Sequence, residues 1–455
     1  MILDNKTYCL LGIGGMGMSS IGKYLKLKGN EVFGYDREVS HMTRSLEKIG
    51  IKILYDDSKY LTNKKLTCSK TLIIYSSAIP KSNKMLKFYK KNGNLIKKRA
   101  VFLSEICQSI PTIAIAGTHG KTTTTAILSH MFLSDNKKII AFIGGILNNY
   151  KTNLILKGND FCIVEADEFD KSFLHLKPEY GCITSIDKDH FDIYESEYDL
   201  VETFRKFSKL IKNRTVVESK VPFTGLRYGL NSNFDYNISN IKSSKKGFVF
   251  DLRTPTNKFK SVYFNHIGNH NLSNALCAIT IADQVGLNMK IALKSLSSFS
   301  GVNRRMQIFS FGSNFIIDDY AHHPTEIKFV FETIQSNYSN KENCVIFQPH
   351  LYSRTKFLIN EFANELSRFD KIYLLDIYPA REIPISGITG ELVYNELIRL
   401  GHKKTFYEPT MDRLPDLVSS ISKNNDMIIT LGAGTIWRYA EKIVNNLKAN
   451  HNYES

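Results

Sequence analysis

Short apolar runs alternate with longer amphipathic stretches in three successive parts of the chain. The first part extends from residue 6 to about 108 and includes the runs YCLLGIG and TLIIYSSAIP. The second part begins with TIAIAGTHG, and the third follows residue 305 and ends with DMIITLGAG. Apolar runs that are each followed by a helix-like stretch are typical of βαβ units with a parallel sheet. The pattern therefore predicts an α/β fold in each part.

The pattern changes between about 215 and 265, where FDYNIS, GFVFDL and SVYFN are bounded by Asn, Gly, Ser and Lys. Such segments indicate antiparallel strands and hairpins. We expect an N-terminal Rossmann-like sheet, a central P-loop ATPase-like α/β domain with an antiparallel portion, and a C-terminal Rossmann-like α/β domain. The predicted domains are 1–108, 109–302 and 303–455.

Composition limits the class of protein. With 455 residues, of which 43% are apolar and 23% charged, the chain is expected to be folded, soluble and multidomain. Its seven Cys include no Cys-x-x-Cys pair, which favours a reducing compartment. The uncharged run 139–147 is too short for a bilayer span of about 20 residues. With no secretory signal at the N-terminus, we expect a cytoplasmic protein without membrane insertion.

The net charge of +16 would suit nucleic acid, an anionic membrane or phosphorylated substrates. Its distribution argues against the first two, because the basic residues are spread along the chain and the longest basic run is only Lys97-Lys98-Arg99. We therefore expect no nucleic-acid partner.

The first candidate motif is a glycine-rich turn, Gly12-Ile-Gly14-Gly15-Met-Gly17, between a predicted strand and a predicted helix. Glycines in such a turn let the backbone approach a diphosphate, and the helix N-terminus favours its charge. Asp36, at the end of the next predicted strand, could accept a hydrogen bond from a ribose hydroxyl. The motif predicts nucleotide binding without specifying the nucleotide; a turn that binds nothing is the alternative.

The second motif, Gly117-Thr118-His119-Gly120-Lys121-Thr122, again joins an apolar run to a helix-like stretch. It matches only the last half of the phosphate-loop pattern, because Ile115 stands at the position of the first Gly. Its backbone can still surround phosphates, Lys121 can neutralise them, and the Thr122 hydroxyl can reach Mg²⁺. We therefore predict an ATP site.

Acidic clusters follow the next two apolar runs, Glu165-Ala-Asp167-Glu168 after FCIV and Asp187-Lys-Asp189-His190 after GCITSI. Each cluster alone is more typical of a solvated turn. Together, downstream of a phosphate loop, they favour metal ligands at one crevice, where the carboxyl ends of parallel strands meet.

Seven segments, in this order along the chain, resemble the motif series of the Mur ligases, the ATP-dependent amide-forming enzymes of peptidoglycan precursor synthesis: GTHGKTTTT, VEADEFDKSFLHLKP, IDKDHFD, GNHNLSNA, GVNRR, DDYAHHPTEI and FQPHLYSRT. LLGIGGMGMSSIG and the last two segments are most similar to the members that join L-alanine to UDP-N-acetylmuramate. The resemblance implies a carboxylate–amine ligase with these two small-molecule substrates, ATP and Mg²⁺.

The resemblance also implies roles for individual residues. The UDP-sugar would contact Gly14, Gly15, Met16, Gly17, Asp36, Ser76, Ser77 and Ala78. ATP would contact Gly117, Thr118, His119, Gly120, Lys121, Thr122, Thr123, Asn271, Asn274, Arg305 and Asp319. The metal ligands would be Thr122, Glu165 and His190; the amino acid would be held by His350, Tyr352 and Arg354; the catalytic set would be Lys121, Glu165, His190 and Arg354. Leu351 departs from the family, in which a basic residue is common at this position.

Several alternatives stay open. A recycling ligase that joins a tripeptide to the same sugar nucleotide would share the central ATP machinery, whereas a folate-extending ligase would lack the first glycine-rich domain. An NAD-dependent dehydrogenase would explain only the first motif. A nucleic-acid-binding ATPase would explain only the charge and the phosphate loop.

Overall fold

Three β-sheets, each flanked by helices, organise the chain. The computed structural model describes residues 6–58, 63–189, 193–230, 233–311, 314–410 and 427–451. No helix in these ranges is long and apolar enough to cross a membrane.

The first sheet is parallel throughout, with strand order β3-β2-β1-β4-β5. Its strands are β1 (Thr7–Leu11), β2 (Glu31–Tyr35), β3 (Lys52–Leu54), β4 (Leu72–Tyr75) and β5 (Ile96–Lys98). Its helices are α1 (Met16–Leu27), α2 (His41–Lys48), α3 (Lys64–Thr67), α4 (Lys84–Lys91) and α5 (Arg99–Cys107). The alternation of apolar runs and amphipathic stretches predicted a βαβ arrangement in this part of the chain, and the structure confirms it.

The central sheet has ten strands in the order β15-β14-β13-β12-β11-β10-β6-β9-β7-β8. They are β6 (Thr112–Ala116), β7 (Ile139–Leu147), β8 (Thr152–Leu156), β9 (Phe161–Ala166), β10 (Tyr180–Ile183), β11 (Arg214–Glu218), β12 (Leu226–Gly229), β13 (Tyr236–Ser244), β14 (Gly247–Arg253) and β15 (Lys258–Phe264). The helices are α6 (Lys121–Ser134), α7 (Glu197–Ser208), α8 (Asn269–Gln284) and α9 (Met289–Ser295), with a 3-10 helix over Phe169–His175.

The antiparallel portion of this sheet that was predicted between about 215 and 265 begins only at β13, and β7 and β8 form another antiparallel pair. β14 is antiparallel to both of its neighbours, β13 and β15, as the sequence pattern indicated. In contrast, β11 and β12, which also follow residue 213, pair in parallel with their neighbours. The prediction was wrong there because Val216 and Val217 of β11 are buried beside β10 and extend the parallel core.

The third sheet has the order β16-β17-β21-β18-β19-β20 and is parallel except for its edge strand β16. Its strands are β16 (Gln307–Phe311), β17 (Asn314–Asp319), β18 (Asn343–Phe347), β19 (Lys371–Leu374), β20 (Thr405–Tyr407) and β21 (Met427–Leu431). Its helices are α10 (Pro324–Tyr338), α11 (Tyr352–Phe357), α12 (Ile359–Leu366), α13 (Glu391–Arg399) and α14 (Trp437–His451).

Packing between the first and central sheets positions the glycine-rich turn. Helix α1, which follows that turn, lies against β7 and β8, and the Tyr24 and Phe142 rings are 5.6 Å apart. The fully buried Asn153 amide donates hydrogen bonds to the Met16 carbonyl and the Ser19 hydroxyl, each at 2.9 Å. The start of α1 is therefore fixed against the central sheet by both apolar and polar contacts.

Candidate active site

The phosphate loop joins β6 to α6 and contains two glycines with left-handed backbone conformations. The φ angles of Gly117 and Gly120 are 131° and 84°, and a Cβ atom would overlap Thr184 at the first position and Asn274 at the second. Glycine is needed at both positions for conformation and for space. The loop leads directly into the first turn of α6, whose N–H groups form a site suited to an anion.

Lys121, the first residue of α6, lies among carboxylates and carbonyls. Its Nζ donates to Glu168 Oε2 at 2.7 Å, to the Gly117 carbonyl at 2.5 Å and to the Thr118 carbonyl at 3.2 Å. Burial opposes the charge of the ammonium, but the carboxylates of Glu168 and Asp167 outweigh it and raise the pKa of Lys121. Lys121 is therefore a half-buried cation in the phosphate loop.

Two oxygen ligands meet beside Lys121. The Thr122 hydroxyl donates to Glu165 Oε2 at 3.0 Å, and the Gly144 amide donates to Glu165 Oε1 at 2.5 Å. Burial raises the pKa of Glu165 despite these hydrogen bonds. A hydroxyl and a carboxylate next to a phosphate loop form an oxygen donor set that fits Mg²⁺. His190, the third predicted ligand, lies outside the described residues.

The second acidic cluster connects the central sheet to the third. Asp189 accepts hydrogen bonds from Arg354 Nε at 2.9 Å and Arg354 Nη2 at 3.0 Å, in a bidentate pair between residues 165 positions apart. The exposed fractions of the two side chains are only 3% for Arg354 and 8% for Asp189. Nη1 of Arg354 faces His350, whose Nδ1 is 3.1 Å away. Most of the guanidinium fork is thus bonded within the protein.

Further contacts between the two sheets surround His119. Its Nε2 is 3.1 Å from Asp187 Oδ2, and its Nδ1 is 3.4 Å from Glu326 Oε1 in α10. Burial disfavours the charged imidazole, but the Asp187 and Glu326 carboxylates outweigh it and raise the pKa of His119 to about 9. The Thr325 hydroxyl donates to Asp187, and His323 donates to the Lys188 carbonyl.

A cavity of about 600 Å³ opens between the phosphate loop, α8 and α10. The predicted ATP-contacting residues among its lining are His119, Gly120, Thr122, Thr123, Asn271, Asn274, Arg305 and Asp319. Asn271 donates to the Ile267 carbonyl at 2.9 Å, so this amide also stabilises the start of α8. Asp319 accepts from the Met306 and Ala321 amides at 2.5 and 2.7 Å, and burial raises its pKa to about 6.

A second cavity, of about 440 Å³, joins the glycine-rich turn to the phosphate loop. From the first domain it is lined by Gly15, Met16, Gly17, Ser76, Ser77 and Arg99, and from the central domain by Lys121, Thr122, Glu165, Asp167 and Glu168. A ligand held by the glycine-rich turn can therefore reach the phosphate loop and the acidic residues within one cavity.

Other predicted residues lie at the edge of this arrangement. Asp36 accepts the Gly14 amide at 2.8 Å, which closes the glycine-rich turn. The Ala78 amide donates to the Ser76 hydroxyl at 3.2 Å directly after β4, a neighbour of β1. Tyr352 is half-buried at the start of α11. These positions leave the predicted roles of Asp36, Ala78 and Tyr352 as predictions.

Three family models match the chain in succession. The Mur ligase family catalytic domain matches residues 7–110, the Mur ligase middle domain 115–282, and the Mur ligase glutamate ligase domain 304–434. The chain belongs to the Mur ligase family. Family membership confirms the predicted resemblance and the three-domain α/β fold.

Individual relatives are similar over almost the whole Mur ligase chain. A UDP-N-acetylmuramate–L-alanine ligase of Christiangramia forsetii is 40% identical over 443 residues, which cover 96% of this chain and 97% of the relative. The protein of the same name from Flavobacterium psychrophilum is 41% identical and covers 96% of each chain. The crystal structure of UDP-N-acetylmuramate-alanine ligase from Thermotoga maritima has a TM-score of 0.83 at 25% identity, covering 98% of this chain and 99% of that one.

Some residues of this Mur ligase site were missed by the sequence reasoning. Arg99 contacts Asp167 at 3.3 Å and lines the cavity beside Gly17, although the basic run that contains it was considered only as charge. Glu326 contacts His119 and also His322, at 3.1 Å. Glu326 could have been identified from the sequence, because it lies within the DDYAHHPTEI motif.

Proposed function

We propose that this chain joins L-alanine to UDP-N-acetylmuramate with the consumption of ATP, in the first peptide step of peptidoglycan precursor synthesis. The observation that carries the proposal is the cavity in which Gly15 and Gly17 face Lys121, Thr122 and Glu165. The names of the full-length relatives support the same two substrates.

We propose the domain boundaries 1–108, 109–302 and 303–455. Each domain binds a different substrate or part of one. The glycine-rich turn and the end of β4 hold the UDP part of the sugar, because backbone N–H groups at the start of α1 suit its diphosphate. ATP occupies the phosphate loop and the cavity beside α8. The amino acid binds near His350, Tyr352 and Arg354 of the third domain.

In the reaction we propose, the lactyl carboxylate of the sugar attacks the γ-phosphorus of ATP, which gives an acyl phosphate and ADP. The amine of L-alanine then attacks the acyl carbon, loses a proton, and displaces phosphate to leave an amide. Lys121 neutralises charge on the transferred phosphoryl group. The domains exclude water from the cavity, which protects the acyl phosphate from hydrolysis.

Mg²⁺ is the metal that Thr122 and Glu165 would hold, and His190 is proposed as a ligand of a second metal. When bound, the metal supplies positive charge near the transferring phosphoryl group. The hydrogen bond of 3.0 Å between the Thr122 hydroxyl and Glu165 Oε2 holds these two oxygens together at the start of α6.

We propose a narrower role for Arg354 than that of binding both carboxylate oxygens of the substrate. Because Nε and Nη2 bind Asp189, only Nη1 and the edge near His350 face away from that carboxylate. We therefore propose that Arg354 contributes charge near the amino acid and positions His350. We further propose that the protein acts in the cytoplasm, with small molecules and without nucleic acid as a partner.

The test is phosphate release from MgATP with UDP-N-acetylmuramate and one acceptor at a time: L-alanine, glycine, L-serine or L-Ala-γ-D-Glu-diaminopimelate. We expect release to require the sugar and L-alanine, and the product mass to increase by one alanyl residue. Lys121→Ala should abolish release, whereas Lys137→Ala, at a half-exposed lysine paired with Asp135, should not. Release only with the tripeptide would identify a recycling ligase instead.

A further inference from the structure

A compact group of two histidines and one aspartate lies at the contact between the central and third domains. Suitable ligand atoms of His119, Asp187 and His323 all lie within 4.8 Å of one another. His119 follows β6 and Asp187 follows β10, whereas His323 precedes α10 in the third domain. Metal binding by these residues would therefore need both domains in their present arrangement.

The distances suit a small tetrahedral cation. His119 Nε2 is 3.1 Å and His323 Nδ1 is 3.8 Å from Asp187 Oδ2. Ligand atoms at about 2.1 Å from Zn²⁺ with tetrahedral angles are roughly 3.4 Å apart, between these two values. The ligand atoms of the third pair, His119 and His323, lie within 4.8 Å of each other, so the two rings would have to approach each other for all three atoms to reach bonding positions.

The hydrogen bonds of His323 fix its ring in the form that a metal requires. Nε2 lies 2.9 Å from the Lys188 carbonyl, which can only accept, so Nε2 carries the proton. Nδ1 therefore presents a lone pair, and it accepts weakly from the Thr325 amide at 3.3 Å. A metal-binding histidine commonly donates its second N–H to a carbonyl or carboxylate in this way.

His119 has the complementary arrangement. Its Nδ1 faces Glu326 at 3.4 Å, while Nε2 faces Asp187. A carboxylate behind the imidazole orients the ring and increases the basicity of the opposite nitrogen. A metal at Nε2 would replace the proton that His119 now shares with Asp187.

We propose that His119, Asp187 and His323 form a transition-metal site of the Zn²⁺ class that bridges the central and third domains. Two imidazoles and a carboxylate favour Zn²⁺ or Co²⁺ over Mg²⁺, which prefers oxygen ligands in octahedral geometry. The adjoining cavity of about 600 Å³ is lined by His119 and Asp187, and it provides access and room for a fourth ligand. Its ligands differ from the oxygen ligands Thr122 and Glu165, although Thr122 lines the same cavity.

The experiment uses the full chain after treatment with a chelator, and Co²⁺ as the spectroscopic probe. We expect the intense visible absorption of four-coordinate Co²⁺ to saturate at one ion per chain. Zn²⁺ should remove this absorption, while excess Mg²⁺ should leave it unchanged. No nucleotide or sugar is present, so the result is independent of the proposed function.

The variant His323→Asn removes a ligand but keeps a side chain that caps helices well. It should lose the Co²⁺ absorption, whereas His402→Asn, at a histidine bonded to Thr405 and the Phe369 carbonyl, should retain it. If His323→Asn does not fold, Asp187→Asn provides the same test. Zn²⁺ should also raise the Tm of the unmodified chain but not of the ligand variant.

Three results would overturn the proposal: absence of the four-coordinate absorption, its persistence in a folded ligand variant, or its displacement by Mg²⁺. The second result would place the ion on other side chains. The third would place it at the oxygen ligands of the phosphate loop.

Discussion

The buried ion pair between Arg354 and Asp189 should be a major contribution to the docking of the third domain. In Arg354→Met an apolar side chain of similar length replaces the guanidinium, and the Asp189 carboxylate loses two hydrogen bonds of 2.9 and 3.0 Å. Both side chains are less than a tenth exposed. Removing one partner of such a pair costs about 3–5 kcal/mol, because the remaining charge stays buried and loses its main compensating charge.

The double variant Arg354→Met/Asp189→Leu separates this penalty from loss of packing. Replacing both charges with apolar groups is often neutral, so we expect the double variant to be more stable than Arg354→Met alone. The coupling energy in the double-mutant cycle should be about 2 kcal/mol or more. A control is Lys404→Met, which removes a surface pair with Glu342 whose side chains are 62% and 44% exposed. It should cost less than about 1 kcal/mol.

Urea denaturation followed by tryptophan fluorescence is the appropriate assay. The chain has a single tryptophan, Trp437, at the start of α14, so this signal reports on the third domain. Circular dichroism, measured on the same samples, reports on all three sheets. Equal costs for Arg354→Met and Lys404→Met, or a cost in the double variant equal to the sum of the two single costs, would show that the buried pair does not contribute as proposed.

Three further predictions concern the other contacts. Asn153→Ala should destabilise by about 1–3 kcal/mol and weaken UDP-sugar binding in calorimetry, because it removes three hydrogen bonds that hold α1; unchanged affinity would contradict this role. Thr122→Val should raise the Mg²⁺ concentration needed for half-maximal turnover, and an unchanged requirement would exclude Thr122 as a ligand. Burial raises the pKa of Asp319 from 3.8 to about 6. The native state binds the Asp319 proton more tightly than the unfolded state does. The free energy of unfolding, relative to that of Asp319→Asn, should therefore be highest below about pH 4 and fall by up to ~3 kcal/mol as the pH rises through about 6. A difference independent of pH in urea titrations would contradict it.

Local patterns were sufficient for much of the fold. The alternation of apolar runs predicted three α/β parts, and the helix-like stretch after the phosphate loop forms α6, Lys121–Ser134. The glycine-rich turn and the phosphate loop were recognisable because each requires glycine at fixed positions. The parallel pairing of β11 and β12 was missed, because short strands read alike in either direction and only their neighbours decide between them.

Contacts between distant residues were beyond sequence reasoning. Asp189 was recognised as part of an acidic cluster and Arg354 as a candidate for binding a carboxylate, but nothing in either segment indicates that they bind each other. The same holds for His119 and Glu326, which come together only when α10 packs beside the phosphate loop. Local motifs thus indicated which residues carry the chemistry, whereas the contacts between those residues depend on domain packing.

The proposed ligase reaction is tested most directly by following an oxygen atom of the lactyl carboxylate. UDP-N-acetylmuramate is prepared with its lactyl carboxylate labelled with heavy oxygen and is incubated with MgATP and L-alanine. If the carboxylate attacks ATP and the amine then displaces phosphate, the released phosphate should contain one labelled oxygen for each amide formed. Amide formation with unlabelled phosphate, or ATP hydrolysis without an alanyl product, would contradict the proposed ligase reaction.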